Sequence, residues 1–254
     1  MKTFYKRKLP HYIPEGGVFF ITSRLAGSLP ISVIKKLMEQ KEQREKFCSG
    51  IKDLKVRRQK YIENQKFYFF EFDSALNKLS NGPYWLQNSD LARIVAEALH
   101  YRDGKVYDLY AYSIMSNHIH IVIKPIVRQH AMLSKGNSRI KDDIANNVEH
   151  QNGQLDKLSY KSSDVPDIGR KKQSPYILGD IMESLKGYTA FECNKVLKRK
   201  GRFWHHENYD HVVRNQEELI RIIKYTLNNP VKAGLCQEQE KWEWNYYNSE
   251  LIGL

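Results

Sequence analysis

Tyr112-Ser113-Ile114-Met115-Ser116-Asn117-His118-Ile119-His120-Ile121-Val122 is an apolar stretch that carries two histidines two residues apart. Val106 to Met115 and His118 to Lys124 are rich in β-branched and aromatic residues and read as strands. Ser116-Asn117 lies between them or bends one long strand. Side chains two apart on a strand point the same way. His118 and His120 therefore share one face, and Ile119, Ile121 and Ile123 share the other. Two imidazoles on one face of a rigid strand can chelate a divalent ion. The competing reading is a pair of polar residues on a half-exposed strand, and His-X-His alone does not choose between the two.

Working outward, Val18-Phe19-Phe20-Ile21-Thr22 follows Gly16-Gly17 and reads as a strand. Pro30 to about Lys46 places Ile31, Ile34 and Leu37 at helical spacing. Glu39 to Lys66 is highly charged and reads as one or two solvated helices, with Lys52, Lys55, Arg57, Arg58 and Lys60 as an alternative basic face for DNA. Asn88 or Ser89 caps a helix through Leu91, Ile94, Val95, Ala98 and Leu99, and Asp103-Gly104 ends it. Residues 126 to about 174 are polar and without periodicity, which predicts a long loop or flexible insertion. Ile177, Ile181, Leu185 and Thr189 mark a helix that ends in a basic cluster at Gly201. Phe203-Trp204 and Val212-Val213 suggest a short hairpin. Asn215-Gln216-Glu217-Glu218 has the pattern of a capping box, and the helix it opens stops at Asn229-Pro230.

Composition narrows the class of protein. With 41% hydrophobic and 12% aromatic residues, the 254-residue chain can bury a core and is not a disordered protein. Forty-one Lys and Arg against 29 Asp and Glu leave +12, which favours a polyanionic partner such as nucleic acid. Cys48, Cys193 and Cys236 are odd in number and lack CxxC spacing, so they read as buried thiols in a reducing compartment. No apolar run approaches a membrane span, and no apolar signal core follows the basic N-terminus, which reads as cytoplasmic.

A metal needs a third protein ligand, and phosphodiester transfer needs a nucleophile. Composition cannot choose among 16 tyrosines. Tyr225 and Asn229 lie four apart near a helix end and so share a face, and an amide oxygen suits Mg²⁺ or Mn²⁺. Tyr188 competes as nucleophile on the preceding helix, and a buried packing aromatic is the plain alternative for Tyr225.

The ordered blocks carry a resemblance. The stretch around His118 and His120 resembles the HUH motif of single-tyrosine transposases, especially the REP-associated tyrosine transposases. Gly201-Arg202-Phe203-Trp204, then Tyr209-Asp210-His211-Val212-Val213-Arg214-Asn215, then Tyr225-Thr226-Leu227-Asn228-Asn229-Pro230-Val231-Lys232-Ala233-Gly234-Leu235 follow in the family's order. Pro14-Glu15-Gly16-Gly17-Val18-Phe19-Phe20-Ile21-Thr22 resembles its first strand. Ser116 stands where the family usually has Pro, which alters the turn rather than the ligands.

The resemblance implies an α+β, ferredoxin-like HUH endonuclease fold, with an antiparallel sheet flanked by helices over a single domain, 1–254. About 40–87 would be a charged helical insertion, and about 126–174 a flexible one. It implies a metal-dependent transposase that nicks and rejoins single-stranded or hairpin DNA through a 5′-phosphotyrosine. Tyr225 would be the nucleophile, and His118, His120 and Asn229 would hold Mg²⁺ or Mn²⁺. Lys186, Lys195, Lys198, Arg199, Lys200, Arg202, Arg214 and Lys232 are the candidate DNA contacts, with a solvated helix end as the plain alternative for the cluster at 195–202; Trp204 and His205 could stack on a base, and Trp204 reads equally as a core residue. A homodimer stays open. So do two rival functions, a domesticated DNA binder of the same fold and a nuclease that uses water.

Overall fold

The computed structural model describes residues 4–6, 10–12, 16–78, 82–126 and 177–252. Two short strands, β1 (Phe4–Lys6) and β2 (Pro10–Tyr12), pair antiparallel ahead of the main body. The body begins with β3 (Val18–Arg24), followed by a helical hairpin, α1 (Ile31–Ser49) and α2 (Leu54–Lys78). Next come α3 (Ser89–Arg102), β4 (Tyr107–Ile114) and β5 (His118–Pro125). After residues 127–176 follow α4 (Ile177–Val196), β6 (Tyr209–Val213), α5 (Gln216–Leu227) and α6 (Asn229–Lys232). The described chain closes with β7 (Asn245–Tyr247) and α7 (Ser249–Ile252). The expected insertion at about 126–174 lies outside the described residues.

The five-stranded sheet has the order β6-β3-β5-β4-β7, and every neighbour is antiparallel. Without β7 and the α1–α2 hairpin, the path is β3-α3-β4-β5-α4-β6. Its order is the split βαβ of the ferredoxin-like fold. The expected α+β class, with an antiparallel sheet flanked by helices, is the observed one. β5 lies at the centre, and β3, β4 and β5 are buried almost throughout, so helices must cover both sides.

The two faces of the sheet bury different side chains because strand residues alternate. Phe19, Ile21, Ile119, Ile121 and Ile123 face α3 and α4, where Leu91, Val95, Leu99, Ile181 and Leu185 complete one core. Phe20 and Val122 face the other way, onto Phe69 of α2 and Leu219, Ile223 and Leu227 of α5. A register shift in β4 preserves this division. Leu109 pairs with Ile123 and Ala111 with Val122, leaving Tyr110 as the extra residue of a bulge.

Local punctuation follows the side-chain chemistry. Asn88 Oδ1 accepts the Asp90 N–H at 2.8 Å and caps α3, and Gly104 closes that helix at φ +68°, a region that favours glycine. Asn215 Oδ1 caps α5 by accepting the Glu218 N–H at 2.8 Å. The returning half of the expected capping box differs, since Glu218 Oε2 accepts the Arg214 N–H at 2.9 Å. The hairpin expected from Phe203-Trp204 and Val212-Val213 does not form. Trp204 bridges Leu25 instead, and β6 pairs with β3, because both segments extend the β3 ladder rather than each other. Cys48 and Cys193 are buried as expected, whereas Cys236 is half-buried, and all three are free thiols. No helix among the described residues is long and apolar enough to cross a membrane.

The α5 cap is open to a direct check. Asn215→Ala should lower stability by about 1 kcal/mol in a denaturant titration, because it strips the Glu218 N–H of its acceptor. An unchanged midpoint would show that this cap contributes nothing to the fold.

Candidate active site

His118 and His120 project from the central strand, fully buried, onto the face covered by α2 and α5. Their Nε2 atoms are 3.1 Å apart. The tautomer of His118 follows from its neighbour. Asn117 Nδ2 donates to the Leu76 carbonyl at 2.9 Å, so Asn117 Oδ1 is an acceptor, and His118 Nδ1 meets it as donor at 2.6 Å. The lone pair of His118 is therefore on Nε2. Burial, then the neighbouring His120, pushes the His118 pKa down to about 3, so this ring is neutral. His120 Nδ1 lies 2.9 Å from the Thr22 hydroxyl across the β3–β5 pair. A hydroxyl can donate or accept, so Thr22 serves either tautomer of His120.

Asp73 of α2 completes the cluster. Its Oδ1 is 3.1 Å from His120 Nε2 and 3.8 Å from His118 Nε2. The three donor atoms lie within 4.8 Å of one another. Oδ1 is buried and accepts no hydrogen bond among the described residues. Lone pairs crowded this closely repel unless a proton or a cation sits among them. Two imidazoles and one carboxylate are a donor set that suits a divalent ion, and the orphaned Oδ1 fits that use. Burial works against ionising Asp73, but His120 foremost, then His118 and Tyr225, hold its carboxyl down at about 2.

The other oxygen, Asp73 Oδ2, accepts the phenol O–H of Tyr225. Tyr225 is half-buried on α5, and its ring meets Phe20, Phe69, Phe70 and His120 edge-on. Lys232 Nζ sits 4.3 Å above the ring. Burial first, and then the charge of Asp73, push this phenol above its ordinary pKa. Asn229 is fully buried at the start of α6. Its Oδ1 accepts from Asn77 Nδ2 at 3.1 Å, and the same amide group contacts Asp73 Oδ2 at 3.4 Å. Asn229 is thus joined to the cluster through Asn77.

Other sequence candidates sort by position. Tyr188 packs against the α3–α4 core, on the opposite face of the sheet from the histidines, so it is not placed to act with them. Trp204 is buried, donating from Nε1 to Thr189 Oγ1 at 2.9 Å, and is a core residue rather than a stacking platform. Lys186 reaches the carbonyls of His205 and His206, and Arg199 bonds Asn194 and stacks on Trp85, so both have structural partners. Lys195 is exposed and pairs with Glu192. Lys198, Lys200, Arg202 and Arg214 are exposed.

Asp73 is the residue that sequence reasoning missed. A signal was present. Tyr68, Phe69, Asp73 and Leu76 are the buried positions of the second half of α2, and a carboxylate in such a stripe needs a buried partner.

No protein-family model matches the chain, and no characterised protein matches it in sequence. Among solved structures, it is similar to a REP-associated tyrosine transposase bound to a REP hairpin. The identity is 12% and the TM-score 0.44, over 95% of this chain and 80% of that one. A likeness at this level says nothing about chemistry.

One titration near the end of β3 gives a measurable outcome. His205 Nδ1 faces the Glu207 N–H at 3.3 Å, and burial, then Arg24, lowers its pKa to about 4. Between the ordinary value of 6.5 and about 4, the unfolded chain binds a proton that the folded chain does not. Stability should therefore fall as pH drops through that window. Melting temperatures measured across it should decline less steeply for His205→Gln than for the natural protein. Parallel slopes would contradict the assigned environment.

Proposed function

We propose that this chain nicks and rejoins single-stranded DNA, with Tyr225 as the attacking group and His118, His120 and Asp73 as the holders of a divalent ion, Mg²⁺ or Mn²⁺. One observation carries the reading: a single buried carboxylate touches both the phenol of Tyr225 and the imidazole of His120. A packing tyrosine needs no such partner, and a structural histidine pair needs no tyrosine beside it. The resemblance of the His118–His120 and Tyr225–Leu235 blocks to REP-associated tyrosine transposases supports the same conclusion, as does the +12 charge.

When bound, the ion would polarise the scissile phosphate and offset the charge that develops on it. The chain's own residues do the rest. Asn117 fixes His118 with its Nε2 lone pair inward, and Thr22 orients His120. Tyr225 is protonated at neutral pH and must lose its proton to attack. Asp73 Oδ2, already bonded to that proton, receives it. The Tyr225 oxygen then bonds to phosphorus, and the bond from phosphorus to the 3′ oxygen breaks. The departing oxygen takes up the proton that Asp73 received, carried by water, so a 3′-OH is released, and the 5′ end stays on the tyrosine. A 3′-OH from another strand reverses the step and joins DNA without ATP. Lys232 lies over the Tyr225 ring and puts a cation beside the attacking group. Lys198, Lys200, Arg202 and Arg214 are exposed for backbone contacts.

Asp73 fits the third ligand position more directly than Asn229. Asn229 Oδ1 would first have to give up the Asn77 amide, whereas Asp73 Oδ1 already faces both imidazoles. All these side chains belong to one chain, so the site would work without a partner's helix. The two imidazoles favour Mn²⁺ over the harder Mg²⁺.

Denaturing gels test the reading. With Mn²⁺ and labelled single-stranded hairpin oligonucleotides from DNA flanking its gene, the protein should form a covalent adduct. Tyr225→Phe should abolish the adduct, and Asp73→Asn should slow its formation by roughly 100-fold or more. Cleavage that survives Tyr225→Phe without an adduct would establish a nuclease that uses water instead.

A further inference from the structure

A groove of about 650 Å³ opens along the α1–α2 hairpin, lined by Val33, Lys36, Leu37, Phe67, Phe70 and Lys78 among others. That volume lies in the range of small-ligand sites, roughly 300–1,000 Å³. Phe67 and Phe70 stand three residues apart on α2, so they share a flank of the helix. They are 47% and 54% exposed, although Tyr68 and Phe69 between them are buried. Two large aromatics left in water beside a groove mark a contact surface rather than a packing remainder.

The charges around the groove sum to a positive rim. Glu71 is neutralised by Arg44 at 3.3 Å, and the Arg44 guanidinium stacks over Phe67 at 3.6 Å. Lys36 and Lys78 are exposed and have no carboxylate partner among the described residues. The groove thus offers aromatic faces with ammonium groups at its rim. One of its walls adjoins the nucleophile, because the Phe70 ring packs edge-on against that of Tyr225 with centroids 5.8 Å apart.

We propose that this groove holds an unpaired nucleotide next to the phosphate that Tyr225 attacks, its base against Phe67 and Phe70 and its phosphates beside Lys36 and Lys78. The assignment rests on the single-stranded DNA reading above and extends it to a substrate subsite. Aromatic faces beside cations are what single-stranded nucleic acid requires, since every base has a π-face and every linkage a negative charge. A paired base cannot turn its face outward, so the groove selects for single strands. A second copy of this chain is disfavoured as occupant, because it would bring two +12 proteins together at a cationic rim.

The test uses the full chain and oligothymidylate carrying one 5-iododeoxyuridine. Irradiation followed by peptide mass spectrometry should map the cross-link to Phe67 or Phe70. Phe67→Ala, an exposed change that should leave the melting temperature unaltered, should weaken single-strand binding on the order of tenfold and leave duplex binding unchanged. Lys78→Gln should flatten the dependence of log affinity on log salt by about 0.7. The proposal is overturned by cross-links that all map elsewhere, or by equal single-strand affinity in Phe67→Ala. It is also overturned if Phe67→Ala turns a dimer into a monomer, which would make a second copy the occupant. Tighter DNA binding by Phe67→Ala would overturn it too. If the natural protein binds no single strand at all, the DNA reading itself fails, which is separate from loss of the groove contact alone.

Discussion

A buried carboxylate is the constraint around which this site is arranged. Asp73 is removed from water and ionised, which is costly unless other groups compensate. The compensation comes from two other elements, β5 through His120 and His118, and α5 through Tyr225. One side chain on α2 therefore fixes the helical hairpin against the sheet and sets the distance between the histidine pair and the tyrosine. Its two oxygens face different groups, Oδ1 the imidazoles and Oδ2 the phenol. Asn77, four residues further along the same helix, extends the connection to Asn229.

The ferredoxin-like path makes this possible by giving the sheet two unlike faces. On the α3–α4 side, isoleucines and leucines form a core with few polar interruptions. On the α2–α5 side, the same strands present Thr22, His118 and His120 among Phe20 and Val122. The bulge at Tyr110 keeps β4 in step with this division where an extra residue would otherwise exchange the faces. The apolar core and the buried polar cluster thus lie on opposite sides of one sheet. The polar face stays ordered because each imidazole has an assigned hydrogen-bond partner, Asn117 or Thr22.

Much of this was legible in the sequence, and the limits have physical reasons. The shared face of His118 and His120 follows from strand periodicity, which needs no tertiary information. The Asn88 and Asn215 caps are local chemistry and were equally plain, whereas the helix expected to stop at Asn229-Pro230 ends at Leu227, and Asn229-Pro230 opens α6, since Pro is accepted in the first turn of a helix. What was not legible is long-range. The contact of Asp73 with Tyr225 spans 152 residues, and nothing local in either segment names the other. The charged stretch at 40–87 read as an insertion because its helices carry Lys and Glu on their exposed sides. The buried stripe of α2 was masked by them. The expected hairpin at Trp204 failed for a similar reason, since each of its halves joins β3, which lies far away in sequence.

The account depends on Asp73 being the third group around the histidine pair. Titration with Mn²⁺, followed by electron paramagnetic resonance of the free ion, tests this directly. The natural protein and Asn229→Ala should each bind one ion per chain with similar affinity. His120→Ala should abolish binding, and Asp73→Ala should weaken it roughly tenfold or more. Binding that survives in Asp73→Ala and is lost in Asn229→Ala would contradict the account and return the third ligand to Asn229.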